Sequence, residues 1–260
     1  MTPGVEREVE RAPVGWGSVT KRSLEIPARR AAWEVRTLAG RSPALGRLLV
    51  RRSGELVTRA TEICIEGFPR CGNTFAVVAF QIAQSRTVSI AHHVHAPGSV
   101  LIAVGMGTPA IVLIREPEDA VLSLLVRLPF VTPAQALRSY RRFYRPLLPH
   151  RARFVVGRFE EVVSDFGSVV RRVNHRFGTN FQEFQPTEQS LQAVKAEVAR
   201  WDRGAFASGE QLELLGGSPS ERRDRLKEEL RPAYRHPRLA ERRAAAERLY
   251  HRFVEGAEER

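Results

Sequence analysis

The sequence has almost no lysine. Of its 41 Lys and Arg residues only Lys21, Lys195 and Lys227 are Lys, so the formal net charge of +12 rests on arginine. That balance favours anionic partners. It comes without a recognisable nucleic-acid-binding motif, so no specific nucleic-acid partner is expected. Cysteine is nearly absent too: Cys64 and Cys71 alone exclude a disulfide framework and a cysteine-based metal site. Long apolar runs are missing. The segment from Thr87 to Ile114 contains no Asp, Glu, Lys or Arg, but Pro97, Gly98, Gly105, Gly107 and Pro109 interrupt it and His92, His93 and His95 lie within it. A membrane span is more uniformly apolar. The opening MTPGVEREVERAP has acidic charge where a signal peptide has an apolar core, so a cytoplasmic location is expected.

What remains is the composition of a globular chain, 43% hydrophobic and 27% charged over 260 residues, long enough for one full core. The most informative stretch is Glu62–Phe80, EICIEGFPRCGNTFAVVAF. An apolar run ends at Gly67 and a second one starts at Ala76. Between them lies Gly67-Phe68-Pro69-Arg70-Cys71-Gly72-Asn73-Thr74. Strand, glycine-bearing loop and helix together form a cradle whose N–H groups converge on an anion. Gly67, Gly72 and Thr74 match the nucleotide-phosphate loop G-x-x-x-x-G-K-[ST], but Asn73 stands at the Lys position. Arg70 supplies a cation inside the loop instead. Cys71, at a helix N-terminus beside Arg70, is expected to have a lowered thiol pKa and to act as a small residue that lets a ligand approach.

Further along, apolar runs alternate with helical spacing. Strands are expected near Ile63–Glu66, Val88–Ala91, Ala110–Ile114 and Arg153–Val156. Helices are expected over Pro27–Leu38, Pro43–Val50, Gly72–Gln84, from Pro97 to about Val104, from Pro117, over Pro133–Leu148 and Phe166–Phe177, and through most of the chain beyond Thr187. Residues 1–20 read as a loose lead-in. The alternation predicts a three-layer α/β fold around a parallel sheet of four to five strands, similar to P-loop proteins, with extra N- and C-terminal helices. Residues 1–60 then form the lead-in and helices lying on the core, and 61–260 the α/β domain with its helical tail. Ligands of such sheets bind beyond the strand carboxyl ends. There the sequence gathers the Arg70 loop, the histidines after the second strand, and Arg115 after the third, with Ser123 eight residues later.

Pro69-Arg70-x-Gly72-x-Thr74-Phe75, followed by Arg115 and Ser123, resembles the sulfotransferases that use 3'-phosphoadenosine-5'-phosphosulfate (PAPS). The resemblance runs from about Ile63 to Gly178. It implies that Arg70, Cys71, Gly72, Asn73, Thr74 and Phe75 hold the 5'-phosphosulfate and that Arg115 and Ser123 hold the 3'-phosphate. His93-Val94-His95-Ala96-Pro97 is similar to the family's T-H-x-P segment. The residues alone leave His92, His93 and His95 open as general base; the resemblance selects His95. Cys71 and Asn73 replace the family's usual Ser and Thr, Phe159 stands where it often has Tyr, and its R-K-G-x-x-G closing motif is missing. Ser218, Ser220 and Arg222, beside Lys227, offer a substitute cover or simply a charged helix start.

The expected activity is transfer of a sulfuryl group from PAPS to a hydroxyl or amine on a small-molecule or glycan acceptor, with no metal. Arg138, Arg141, Arg142 and Arg145 read as a solvated face, with contact to an anionic acceptor such as an acidic glycan as the alternative. Two other readings are a P-loop kinase lacking the usual Lys and a non-catalytic anion-binding module.

Overall fold

A computed structural model describes residues 16–45, 56–205, 216 and 220–255. Four strands, β1 (Ile63–Gly67), β2 (Ile90–His92), β3 (Ala110–Ile114) and β4 (Val155–Arg158), form one sheet in the order β2-β1-β3-β4. All three pairings are parallel, with Ile63 opposite Ile90, Cys64 opposite Ala110 and Ile111 opposite Val155. Every residue of β1 and β3 is buried. Successive strand residues point to opposite faces, so both faces are covered, as the unbroken Ala110–Ile114 run requires. From β1 the chain passes outward to β2, then returns to place β3 on the other side of β1. The carboxyl ends of β1 and β3 therefore flank the point where strand order reverses, the crevice in which parallel sheets bind ligands.

The layers are α1 (Trp16–Ala39), α2 (Asn73–Ala83), α3 (Pro97–Met106), α4 (Pro117–Arg127), α5 (Pro133–Tyr144), α6 (Phe159–Ser164), α7 (Phe166–Phe177), α8 (Glu188–Ala205), α9 (Glu221–Arg235) and α10 (Ala240–Glu255). Local chemistry sets several of the starts. Pro117 opens α4 with Glu118 and Asp119 in its first turn, where the helix dipole favours acids. Thr132 and Gln135 form a reciprocal capping box on α5. The C-terminal helix closes the core: the Phe253 ring stacks on Phe154 at 5.7 Å and meets Tyr144 at 5.1 Å.

The expected α/β class is the observed one, with differences at the edges. α1 begins at Trp16 and runs through Pro27, so residues 16–20 are helical and not a loose lead-in. Of the helix expected over Pro43–Val50, Pro43–Leu45 are helical and the rest lies outside the described residues. α5 ends at Tyr144, and a 3-10 stretch takes the chain from Arg145 to Arg153, because Pro146 and Pro149 remove the N–H donors an α-helix needs. That shift moves β4 two residues later than expected. β2 is also displaced, to Ile90–His92. The arginines of α5 are only partly a solvated face: Arg142 pairs with Glu34 of α1 at 2.5 Å and Arg138 reaches the same carboxylate at 3.7 Å. This fastens α1 to the core. Among the described residues no helix is long and apolar enough to cross a membrane.

Candidate active site

The first element of the site follows from the end of β1. Gly67 lies so close to β3 that a Cβ there would sit 2.7 Å from the Leu113 carbonyl oxygen. Phe68 then turns into the core, with its ring edge-on to Tyr140 at 5.3 Å. The Tyr144 hydroxyl pins the turn: it donates to Leu113 O at 2.8 Å and accepts from Phe68 N at 3.4 Å. Arg70 (φ 73°) and Gly72 (φ 85°) are both left-handed, and α2 starts directly after Gly72 without a side-chain cap. The first-turn N–H groups of Asn73, Thr74 and Phe75 have no carbonyl below them, which makes this helix start attractive to an anion.

Cys71 corrects an expectation. Its side chain is fully buried, with Sγ 3.4 Å from the Tyr144 hydroxyl, so it packs beneath the loop and only its backbone is left to meet a ligand. Burial pushes the thiol up to about 12, opposite to the lowering expected at a helix N-terminus. Asn73 also turns inward: its amide donates to Phe68 O at 3.1 Å, bracing the loop where a phosphate-loop Lys would reach out.

The second element comes from β3 and α4. Arg115 emerges from β3 with its guanidinium 3.9 Å above the Phe159 ring and donates to Asp119 at 3.1 Å. Its Nε is buried and has no partner among the described residues, an orphaned donor of the kind a bound anion satisfies. Phe159 thus contributes its ring face as a platform for a cation, a role that needs no phenol hydroxyl. Ser123, on the buried face of α4, accepts a hydrogen bond from Arg70 Nε at 2.9 Å. The two sequence elements, 53 residues apart, therefore touch. Burial foremost, with Arg127, Arg223 and Arg115 nearby, lowers Arg70 to about 9; it remains a cation at neutral pH.

The third element is the loop after β2, where His93 (φ 59°) and His95 (φ 53°) are left-handed. Among the described residues, Arg70 and these two histidines are the non-glycine residues with positive φ. Such strain persists only where surroundings over-determine it, and at His95 Glu66 holds the main chain. This carboxylate lies within the apolar strand β1, is fully buried, and accepts the main-chain N–H groups of Val94 at 2.6 Å and His95 at 3.0 Å. Burial raises Glu66 to about 8 against the pull of these N–H bonds.

The histidines are not equivalent. His93 has both ring nitrogens engaged, Nε2 with Thr74 Oγ1 at 3.1 Å and Nδ1 with His92 Nδ1 at 2.8 Å. His95 uses Nδ1 against the Gly67 carbonyl at 2.9 Å. A carbonyl only accepts, so Nδ1 carries the proton and Nε2 keeps its lone pair. Burial is the main reason that His93 falls to about 3 and His95 to about 4, so both rings are neutral at pH 7.

Arg70, Gly72, Asn73, Thr74, Phe75, His95 and Arg115 all line one cavity of ≈ 710 Å³. Ser123 reaches that group through Arg70, and Cys71 does not line it. Sequence reasoning passed over Glu66, which reads as an interruption of a strand, and Trp201 of α8, whose ring lies 5.8 Å from those of His92 and His93. It also missed Arg223, which is buried; Arg223 and Arg70 both donate to Gly216 O. Ser220 caps α9 by accepting from Arg223 N at 3.4 Å, as a helix start would, and Ser218 lies outside the described residues. Among the described residues no group of three His, Cys, Asp or Glu side chains is placed to hold a metal ion.

These features define a parallel α/β protein with Arg70, Arg115 and an uncapped helix start gathered at its strand reversal. No protein-family model matches the sequence, and no curated protein matches it significantly. Among solved structures, mouse sulfotransferase SULT7A1 complexed with PAP is similar to it, at 11% identity over 73% of this chain and 89% of that chain, with a TM-score of 0.41. A likeness of that size carries no functional weight, so the site is read from its own geometry.

Proposed function

We propose that the protein is a sulfotransferase that moves a sulfuryl group from PAPS to an acceptor hydroxyl or amine. The observation that carries this reading is the 2.9 Å contact between Arg70 and Ser123, with the orphaned Nε of Arg115 nearby. The contact supports a reading in which both elements engage one nucleotide that bears phosphates at its 5' and 3' positions. A nucleoside triphosphate has no group for the second element.

In this reading the first-turn N–H groups of α2, Thr74 and Arg70 bind the 5'-phosphosulfate, while Arg115 and Ser123 bind the 3'-phosphate, with Phe159 supporting Arg115. The acceptor oxygen attacks sulfur as the bond from sulfur to the 5'-phosphate oxygen breaks, and that oxygen leaves with the electron pair. Arg70 and the α2 N-terminus neutralise the charge it gains. The acceptor proton goes to His95 Nε2, the lone pair left by the Nδ1–Gly67 hydrogen bond. The neutral ring is ready to accept it, although burial makes it a weaker base than free imidazole.

Thermal denaturation with adenosine 3',5'-bisphosphate, ADP, or ATP with and without Mg²⁺ tests the donor. The bisphosphate, at ~100 times its dissociation constant, is expected to add about 2.7 kcal/mol of stability, with ADP well below it. Preferential stabilisation by ATP and Mg²⁺ would overturn the proposal in favour of a phosphotransferase. Equal response to all of these anions would favour a non-catalytic module. An acceptor screen with ³⁵S-labelled donor then reads the transfer itself.

A further inference from the structure

A second, smaller cavity of ≈ 260 Å³ lies at the other end of the sheet, where Phe154 leads into Val155 and Val156 of β4. Arg151, Arg171, Arg172, His175 and Arg176 surround it, and among the described residues no carboxylate lines it. Two of these arginines are balanced nearby: Arg171 pairs with Glu183 at 2.6 Å, and Arg172 pairs with Glu161. Arg151 and Arg176 have no carboxylate partner among the described residues. Arg151 donates its Nε–H to Phe253 O at 2.8 Å and Arg176 donates to Ala152 O. The Nη2 of Arg151 is shielded from solvent and bonded to nothing among the described residues. Burial and the neighbouring Arg176 and Arg172 lower Arg151 to about 10. A guanidinium keeps its charge in a protein, so Arg151 is a partly buried cation beside Arg172 and Arg176 with one unused buried donor.

We propose that this cavity is a binding site for one tetrahedral oxyanion, a sulfate or phosphate group either free or as a terminal monoester, held by Arg151 and Arg176 with Arg171, Arg172 and His175 around it. The arrangement suits that chemistry: planar guanidiniums offer paired N–H donors to such oxygens, and the cavity is larger than a single oxyanion, leaving room for the group that carries an ester. It sits at the amino ends of the strands, whereas the candidate active site sits at their carboxyl ends. Its occupant is therefore not the reacting group, and the site stands whether or not the sulfuryl-transfer reading does.

The test is titration of the full-length protein with sodium sulfate, sodium phosphate and glucose 6-sulfate at ionic strength fixed with sodium chloride, following arginine Nε–H NMR signals. The expected result is a saturable shift of the Arg151 and Arg176 signals that chloride does not reproduce. R176Q and R151Q should each weaken it roughly tenfold, and R70A should leave it intact. If R151Q fails to fold through loss of its bond to Phe253 O, R176Q and H175A carry the test alone. Saturation by glucose 6-sulfate would show that an esterified anion is accepted; saturation by the inorganic ions alone would assign the site to the free ions. Shifts that grow linearly without saturating, or that survive R176Q and H175A unchanged, overturn the proposal.

Discussion

Glu66 and His95 are joined through the main chain: the Glu66 Oε2 atom accepts the His95 N–H at 3.0 Å, while Oε1 takes the neighbouring Val94 N–H. A carboxyl in the middle of a buried strand thereby fixes a left-handed histidine 29 residues away.

Gln cannot replace this group, because its NH₂ would face one of the two N–H donors. E66Q should leave a buried donor unpaired, at a cost of about 1–3 kcal/mol, and lower turnover by loosening His95. The pH dependence follows from the sign of the shift. The folded-state pKa is raised from 4.5 to about 8, so the folded protein holds this proton more tightly than the unfolded chain. Stability conferred by the proton is complete below 4.5 and is lost as pH rises towards 8. Urea unfolding across that window should give a smaller decline with pH in E66Q than in wild type; equal slopes would show that Glu66 is not buried in this way.

His95, lowered to about 4, stays unprotonated well below the ordinary histidine range. The acid limb of kcat/KM should therefore fall near pH 4 and not near 6.5. H95A should nearly abolish turnover while donor binding survives. Wild-type turnover in H95A, or an acid limb at 6.5, would point to a different base.

Arg70 and Ser123 share one hydrogen bond but have different tasks. R70A removes charge stabilisation from the leaving phosphate and should lower kcat about 10²–10³-fold, the scale seen for loss of one such donor. S123A should leave kcat near wild type and weaken donor binding by about 1 kcal/mol, roughly fivefold. Initial rates over a range of donor concentrations separate the two effects. A fall in kcat without a change in KM for S123A would remove Ser123 from the 3'-phosphate element.

Gly67 is set by proximity and not by its own backbone angles. G67A drives a methyl group against Leu113, where the Cβ would meet the carbonyl oxygen at 2.7 Å and Leu113 Cβ at 2.8 Å. A loss of about 1–3 kcal/mol in urea unfolding is expected, together with weaker donor binding as β1 and β3 separate.

The sheet was legible because Ala110–Ile114 and Ile63–Ile65 are apolar on every residue, the pattern of strands covered on both sides. The proline-marked starts at Pro97, Pro117 and Pro133 were legible for an equally local reason. Boundaries after Tyr144 were not, since the 3-10 stretch depends on where two prolines fall relative to a helix already formed. In the candidate site the loop was readable from its glycines, and the thiol direction was not. Position at a helix start suggests a lowered pKa for Cys71, but packing under Tyr144 dominates. Glu66 and Arg223 gave no sequence signal, because their partners are main-chain atoms 28 and 7 residues away.

The concealment of both sulfurs makes the chain its own clock. Cys64 and Cys71 are free thiols with no exposed surface, one on β1 and the other in the loop that follows it. Iodoacetamide or maleimide should leave the native protein unmodified and label it only when this strand and loop come apart. The rate of alkylation, followed by mass spectrometry, then reports how often that region opens, and a ligand that grips the cradle should slow it without touching either sulfur.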